Sequence, residues 1–374
     1  MRFAEYTDEW HKYALSDFVT RITRRNKNNE SSLPLTISAQ YGLVDQITFF
    51  NKTVASVDLS GYYLLYNGDF AYNKSYSNDY AWGAVKRLDK YEKGCLSSLY
   101  FVFRPTDKVD SDYLTHYFET SKWHKGISDI AGEGARNHGL LNMAVDDYFA
   151  TKHYLPSLSE QKKIACFLNL ITKRIEIQNK IISKYETLIK GIRERVVSGS
   201  WQWKKLDKLI QEGVVRLNRG NIIPKHQKDN TYKYPVYSSS TQNNGLMGYN
   251  NTYMFDKELI TWSIDGGGNF FYRKKHKFNV TNVCGIMQVD ENVYSYRFIA
   301  EMLTYQHSKM KFDYQSKAHP SVISSLYSLP CLPILEQNSY CQLFVALDRK
   351  MQIEQYGLNK IKEQKKYLLS KMFI

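Results

Sequence analysis

The chain lacks the sequence signatures of disulfide-rich, zinc-binding and membrane proteins. Its five cysteines form no CxxC pair, which argues against a zinc site or a disulfide framework and favours reduced thiols. No run of about 18 apolar residues is present, and the opening MRFAEYTDEW lacks the apolar stretch of a signal peptide. We therefore expect a cytoplasmic protein that is neither exported nor inserted in a membrane.

Motifs that position catalytic groups are absent as well. The sequence contains no GxxxxGK(S/T) loop, no HExxH, no GxSxG and no Asn-Pro-Pro-aromatic signature of amino-methylating enzymes. DGGGNFF, residues 265–271, lies within a β-rich stretch, so a tight turn is favoured over a phosphate cradle. His138 and His319 lack an evident nucleophile partner, which favours structural roles over general-base catalysis. We expect a chain without catalytic, cofactor or metal residues.

Positive charge is in excess. The 374 residues include 51 Lys or Arg and 37 Asp or Glu, a formal charge of +14, which suits a polyanion such as nucleic acid. More than half of this excess lies in residues 160–198 and 336–374. Phosphate attraction alone is therefore not expected to give the rest of the chain strong binding, and base contacts and partner subunits would have to contribute.

One segment of the chain occurs twice. HYLPSLSEQ, residues 153–161, aligns without a gap with LPCLPILEQ, residues 329–337. After each copy, seam residues recur at alternating steps of four and three, as in a coiled coil. The first seam is Ile164, Leu168, Ile171, Ile175, Gln178, Ile182, Tyr185, Ile189, Ile192 and Val196; the second is Tyr340, Phe344, Leu347, Met351, Glu354, Leu358, Ile361, Lys365, Leu368 and Met372. Two long helices with matching polar interruptions are predicted.

Chain order determines how these helices can pair. The first helix leads into the second half of the chain and the second helix begins where that half ends, so an intrachain pair must be antiparallel. The first seam spans about 48 Å at about 1.5 Å per residue. This length is typical of a spacer.

The segments before the two helices also resemble each other, in the same order. WHKYALSDFV (10–19) matches WQWKKLDKLI (201–210), LPLTISAQYG (33–42) matches YPVYSSSTQNNG (234–245), and Arg136 and His138 align with Lys317 and His319. Within each half, short β-rich runs alternate with helical patterns, such as 111–127 and 294–310. We expect two related α+β domains, each with a strongly twisted sheet.

The repeated LPxLxEQ entry, best seen in LPSLSEQKKIACFL, resembles the specificity subunit of a type I restriction-modification system. The second copy, LPILEQNSYCQLF, departs by losing one residue between proline and glutamate and the basic pair after glutamine. The resemblance implies an α+β fold with two internally repeated globular target recognition domains, separated by two long antiparallel helices that form a coiled coil. The implied boundaries are 1–153 for the first recognition domain, 154–199 for the central helix, 200–329 for the second domain and 330–374 for the C-terminal helix.

The resemblance also implies partners. Each globular domain would read one half of a split target in double-stranded DNA, and the helices would set the half-site spacing and dock two methyltransferase subunits. Restriction subunits are a further partner class. No cofactor is expected on this chain, because S-adenosylmethionine would be bound by the methyltransferase.

Loops rich in amides, hydroxyls and cations are the candidates for DNA contact, since these groups read base edges and hold phosphates. We predict Ser38, Gln40, Tyr41, Asn73, Lys74, Arg136, Asn137 and His138 in the first half, and Arg216, Arg219, Ser239, Gln242, Asn243, Lys274, Lys275, Lys317 and His319 in the second. Polar loops are also ordinary solvated surface. The alternative is a coiled-coil scaffold without DNA binding, in which these loops would have no such role.

Overall fold

The computed structural model describes residues 1–76, 80–131, 139–223, 233–240, 242–265, 267–310 and 317–374. Its helices are α1 (Leu15–Phe18), α2 (Gln46–Phe50), α3 (Ser111–Tyr117), α4 (His124–Ile130), α5 (Val145–Ala150), α6 (Leu158–Val197), α7 (Leu206–Gln211), α8 (Tyr296–Lys309), α9 (Pro320–Leu326) and α10 (Ile334–Met372). Its strands are β1 (His11–Ala14), β2 (Val19–Arg21), β3 (Leu35–Ser38), β4 (Gly42–Asp45), β5 (Tyr63–Tyr66), β6 (Phe70–Asn73), β7 (Ala84–Arg87), β8 (Lys93–Leu96), β9 (Phe101–Pro105), β10 (Lys152–Leu155), β11 (Trp203–Lys205), β12 (Val215–Arg219), β13 (Tyr234–Tyr237), β14 (Leu246–Asn250), β15 (Phe255–Ser263), β16 (Phe270–Val280), β17 (Cys284–Val289) and β18 (Ser328–Pro330).

The chain forms two units, which the long helices α6 and α10 share. Unit 1 comprises Met1–Asn179 and Gly357–Ile374, and unit 2 comprises Lys180–Tyr356. The predicted mixed α+β class with two long helices is confirmed. The predicted domain boundaries remain predictions. Within the described ranges, no helix is long and apolar enough to span a membrane.

Unit 1 is built around a four-stranded antiparallel sheet in the order β2-β9-β6-β7, with the pairs β1-β10, β3-β4 and β5-β8 beside it. Aromatic side chains dominate its core. Tyr72 and Tyr148 stack at 4.7 Å between ring centroids, and Phe103 and Trp123 are both buried nearby in the same cluster. Stacked and edge-to-face rings bury large apolar areas, so they contribute much of the stability of this sheet.

Unit 2 contains a six-stranded sheet in the order β12-β17-β15-β16-β13-β14. Its neighbours are antiparallel except for β13 and β16, which pair in parallel at Val236–Asn279 and Tyr237–Val280. Trp262 is fully buried at the centre, and its Nε1 donates to the carbonyl of Ala318 at 2.7 Å. The indole therefore ties the sheet to the segment before α9.

Both long helices follow the predicted seam. Every seam position of α6, which has 40 residues, and of α10, which has 39, is buried or half-buried. In unit 1, Leu168 near the start of α6 shares a core with Leu368 near the end of α10. In unit 2, Val196 at the end of α6 and Tyr340 near the start of α10 pack in one core. Each unit thus joins the start of one helix to the end of the other, as antiparallel pairing requires.

The similarity between the two halves is visible in their local structure. Leu15 and Leu206, aligned by the repeat, each begin a short helix directly after a strand, and both are fully buried. The second aligned pair forms a hairpin in each half, β3-β4 and β13-β14, with a glycine of positive φ where the turn meets the second strand, Gly42 or Gly245. Two of the segment pairs aligned by the predicted internal repeat therefore form the same local structure in each half.

The helix predicted at 111–127 is wrong in its middle, where two short helices, α3 and α4, replace it. Side chains take over carbonyl oxygens that a continuous helix would use. The Thr120 hydroxyl donates to the carbonyl of Tyr117 at 2.7 Å, and Nε1 of Trp123 donates to that of Phe118 at 3.2 Å. Such local hydrogen bonds compete with helical ones, and here they end the first helix. The second predicted helix, at 294–310, corresponds to α8.

Candidate nucleic-acid interface

One pocket of unit 2 brings together residues from two of the predicted loops. The turn after β13 contributes Asn243, and the middle of β16 contributes Lys274 and Lys275, to a pocket of about 580 Å³. All three side chains are exposed. The pocket therefore combines an amide, which can both donate and accept hydrogen bonds, with two mobile cations.

Arg273 lies beneath these lysines and was not among the predicted contacts. Only 4% of it is exposed, its Nε donates to Oγ1 of Thr261 at 2.9 Å, and its guanidinium lies 3.6 Å from the ring centroid of Tyr237. In the described part of the chain its Nη2 has no hydrogen-bond partner. Burial lowers the pKa of Arg273 to about 10. Arg273 is therefore a buried cation that lies against an aromatic ring face.

The turn that covers Arg273 is unusual in its backbone. Asn243 and Asn244 have φ values of 47° and 52°, a left-handed conformation that asparagine tolerates better than most residues. Gly245 follows with a φ of 78°, and a Cβ there would lie 3.0 Å from the carbonyl oxygen of Ser238 and 3.3 Å from Nη2 of Arg273. Gln242, at the start of the turn, is exposed. The turn therefore presents amide side chains outward while its glycine approaches the guanidinium.

The other predicted residues of unit 2 lie outside this pocket. Arg216 and Arg219 are exposed on β12, the opposite edge of the six-stranded sheet, and Nε of Arg219 donates to the carbonyl of Asn282 at 3.0 Å. Ser239 uses its carbonyl to accept the hydroxyl of Ser263 at 2.6 Å. The structure thus places the arginines on a different surface from Lys274.

Lys317 and His319 flank a buried anchor. Ala318 between them is fully buried and donates its N–H to the carbonyl of Ile264 at 2.9 Å. Nζ of Lys317 lies 3.6 Å from Oδ1 of Asp265, and His319 is the N-cap residue of α9. The charge of Lys317 is therefore partly offset by a nearby carboxylate.

In unit 1, the predicted residues of the β3-β4 turn share one loop. Oγ of Ser38 accepts the N–H of Tyr41 at 3.1 Å, so Ser38 shapes the turn rather than facing solvent. Tyr41 is 61% exposed, and its ring meets that of Phe49 edge to face at 6.4 Å. Gln40 is exposed and borders a separate cleft. Gln40 and Tyr41 are therefore the two side chains of this turn available to a ligand.

The loop after β6 has two predicted residues that already make internal contacts. Oδ1 of Asn73 accepts the N–H of Ser75 at 2.9 Å, and Nζ of Lys74 lies 4.9 Å above the ring of Phe101. Arg136, Asn137 and His138 lie outside the described residues, so the proposed equivalence of Arg136 with Lys317 stays a prediction. Among the described residues, no group of three or more His, Cys, Asp or Glu side chains could hold a metal ion.

Comparison with known proteins gives a consistent answer. Residues 201–363 match the family model described as type I restriction modification DNA specificity domain. A putative type I specificity subunit of Mycoplasma pneumoniae, S.MpnORF285P, is 39% identical over 100 residues, which are 26% of this chain and 32% of that protein. Another, S.MpnORF201P, is 26% identical over 192 residues, covering 49% of this chain and 77% of the relative. The chain spans less than half the length of several of the curated relatives that it matches.

Solved structures extend the likeness to the whole fold. The crystal structure of a type I restriction-modification system S subunit from M. genitalium aligns with a TM-score of 0.62 at 16% identity, covering 100% of this chain and 99% of that one. A chain from a structure on complex assembly and conformational transition of the type I R-M system aligns with a TM-score of 0.55 at 13% identity, covering 97% of each. Identities this low show the fold alone. Together with the family match, they confirm the predicted resemblance of this chain to the specificity subunits of type I restriction-modification systems.

Proposed function

We propose that this chain is the DNA-recognition subunit of a type I restriction-modification complex. In this proposal each globular domain, 1–153 and 200–329, reads one half of a bipartite target in double-stranded DNA. The helices at 154–199 and 330–374 set the half-site spacing. Catalysis belongs to partner subunits, and S-adenosylmethionine is bound by the methyltransferase.

The observation that carries the proposal is the pocket beneath the β13-β14 turn. It combines the amide of Asn243 with Lys274, Lys275 and the buried guanidinium of Arg273, and it lies inside the segment matched by the DNA specificity family. Amides and cations are the groups that discriminate base edges in the major groove. A buried cation without a carboxylate partner loses solvation that an incoming phosphate or base acceptor would replace.

Methyltransferase docking is supported by apolar side chains of α6 that are exposed on the surface of unit 1. On α6, Leu170 and Ile177 are 62% and 49% exposed, and they stand seven residues apart on one face. Neither belongs to the seam. We propose that this face of α6 contacts a methyltransferase subunit, because exposed apolar side chains at helical spacing favour burial against a partner.

The experiment that tests the function is selection of randomised duplex DNA by the chain in complex with its methyltransferase subunit. A bipartite sequence with a fixed gap is expected among the bound fragments. Equal binding of all sequences by an active, assembled complex would overturn the proposal in favour of the scaffold. Variants of the first and second domains should alter different halves of the selected sequence.

A further inference from the structure

Unit 1 contains a cleft of about 930 Å³ that none of the assigned roles uses. One wall is formed by β7 and the segment between α3 and α4, and the other by the last turns of α10. Four lysines line it: Lys86 and Lys122 from the globular part, and Lys362 and Lys366 from the helix. The cleft therefore joins cations from the two ends of the sequence.

The carboxylate of Glu119, which borders the cleft, already forms an ion pair with a lysine outside the cleft lining. Oε2 of Glu119 accepts from Nζ of Lys365 at 3.0 Å. Lys86 is half-buried, and burial together with the nearby charge of Lys365 lowers its pKa, against the attraction of Glu119. With Glu119 matched by Lys365, the four lysines leave the cleft strongly positive, and an anion would relieve their repulsion.

The two helical lysines are not required for packing. Lys362 and Lys366 are exposed, whereas the seam of this helix runs through its neighbours Ile361, Lys365 and Leu368. Like charges four residues apart on a helix are mutually destabilising by a few tenths of a kcal/mol. Their position on one face toward the cleft therefore favours a role in binding over a role in folding.

The rim indicates which anion fits. Gln40, a predicted DNA contact, and Tyr80 border the cleft, and the phenol of Tyr80 donates to the carbonyl of Ala39 at 3.3 Å. A small inorganic anion would leave most of the volume empty. A nucleic-acid strand, with phosphates along its length and bases beside them, would meet both the lysines and the amide.

We propose that this cleft binds the phosphate backbone of the DNA, so that the C-terminal helix is part of the DNA interface as well as a spacer. The inference rests on the proposed function of the chain and adds a named surface to it. Phosphate contacts position a protein on DNA without reading its sequence. The cleft should therefore contribute affinity and salt dependence, but no base preference.

The test measures binding of the full-length chain, assembled with its methyltransferase subunit, to a mixed-sequence duplex at salt concentrations from about 50 to about 200 mM. The slope of log affinity against log salt is negative, and each lost phosphate contact makes it shallower by about 0.9. Lys362→Gln/Lys366→Gln should therefore make the slope shallower by about 1.8, and Lys122→Gln alone by about 0.9. Lys350→Gln/Lys371→Gln removes the same charge from the same helix outside the cleft and should leave the slope close to that of the wild type.

Equal slopes for the cleft variants and the wild type would overturn the cleft proposal alone, provided that all melt at the same temperature. Absence of salt-dependent binding by the wild-type complex would instead count against the proposed function. Inorganic triphosphate serves as the second probe. If it binds the wild type and not Lys362→Gln/Lys366→Gln, while the duplex slopes stay equal, the cleft holds a small anion and the DNA assignment is wrong.

Discussion

Gln161 and Gln337, aligned by the repeat, make the same hydrogen bonds in their own units. Each side chain is buried, and its Oε1 accepts the backbone N–H of a helix N-cap residue, Asp110 at 2.8 Å and Ser295 at 3.0 Å. Each Nε2 donates to a carbonyl five residues earlier, that of Pro156 or Leu332, at 2.9 and 2.8 Å. The glutamine of the LPxLxEQ entry therefore fastens each long helix to its globular domain.

Gln337→Leu should destabilise unit 2, because it keeps the side-chain volume but leaves the N–H of Ser295 and the carbonyls of Val293 and Leu332 without their partner. We expect a loss of about 1–3 kcal/mol in the free energy of unfolding. Urea unfolding measures it. Asn338→Ala, at the exposed neighbouring position, is the control and should change stability by less than about 0.5 kcal/mol. Equal effects of the two variants would show that the glutamine contacts contribute little.

The repeat shows which parts of this anchoring a sequence can reveal. Alignment identified Gln161 and Gln337 as equivalent, and the seam predicted which helical positions are buried. Their partners were invisible, since Asp110 and Ser295 lie far away in the chain. The glutamates beside them also differ: Glu160 is buried and accepts two hydrogen bonds from Arg2, at 2.7 and 2.6 Å, whereas Glu336 is exposed.

The same limit applies to the candidate interface. Lys274 and Lys275 were predicted because a run of exposed cations is visible in the sequence. Arg273 was missed, since its contact with Tyr237 depends on the pairing of β16 with β13, which the sequence does not show. The pairing of β15 with β16 shifts register between Lys257 and Leu259, opposite residues 273–276, so simple strand alternation would not have separated Arg273 from the exposed Lys275.

His153 should make unit 1 sensitive to mild acid. Its Nδ1 and Nε2 lie 2.8 Å from the hydroxyls of Tyr117 and Thr151, and burial lowers its pKa to about 4 from the ordinary 6.5. The unfolded chain takes up a proton below pH 6.5 and the folded chain only near pH 4. The titration of His153 therefore leaves the free energy of unfolding unchanged above pH 6.5, and lowers it by about 3 kcal/mol as the pH drops to 4.

Melting temperatures at neutral pH and near pH 5 measure this effect. His153→Gln should start lower at neutral pH but lose less stability on acidification than the wild type does. His11→Gln, at an exposed position, should follow the wild type at both pH values. An unchanged pH dependence in His153→Gln would assign the acid sensitivity to other groups.

Arg273→Met should separate stability from DNA binding. Replacing a buried cation that lacks a carboxylate by an apolar side chain of similar length is often neutral or stabilising. We therefore expect melting within a few degrees of the wild type, with DNA affinity reduced by about 5- to 150-fold, which corresponds to a guanidinium contribution of about 1–3 kcal/mol to base recognition. Lys205→Met, on β11 in a separate two-stranded sheet, is the matched control. Loss of folding in Arg273→Met, with binding unchanged in Arg273→Lys, would reduce Arg273 to a structural residue.

Leu170→Asp/Ile177→Asp should prevent methyltransferase binding without unfolding the chain, because both side chains are exposed in the isolated subunit. Co-purification with the methyltransferase subunit measures the loss. Asn179→Asp/Ser183→Asp adds the same charge at exposed positions on another face of α6 and should leave the complex intact. Retention of the complex by the first variant would place the docking surface elsewhere.

If the helices act as a spacer, a change in helix length alone should change the gap between the two half-sites of the DNA target. Inserting four residues after Gln178 and four after Glu354 lengthens each helix by about 6 Å and rotates the remainder of each helix by about 40°. Because a DNA base pair rises by about 3.4 Å, the preferred half-sites should move about two base pairs further apart. Their sequences should not change, since the loops that would contact bases are untouched. Mapping of methylated sites measures both quantities together. A single insertion should lose activity, because the seams of the two helices would no longer match. If an active double insertion still methylates sites with the original gap, the helices do not determine the spacing.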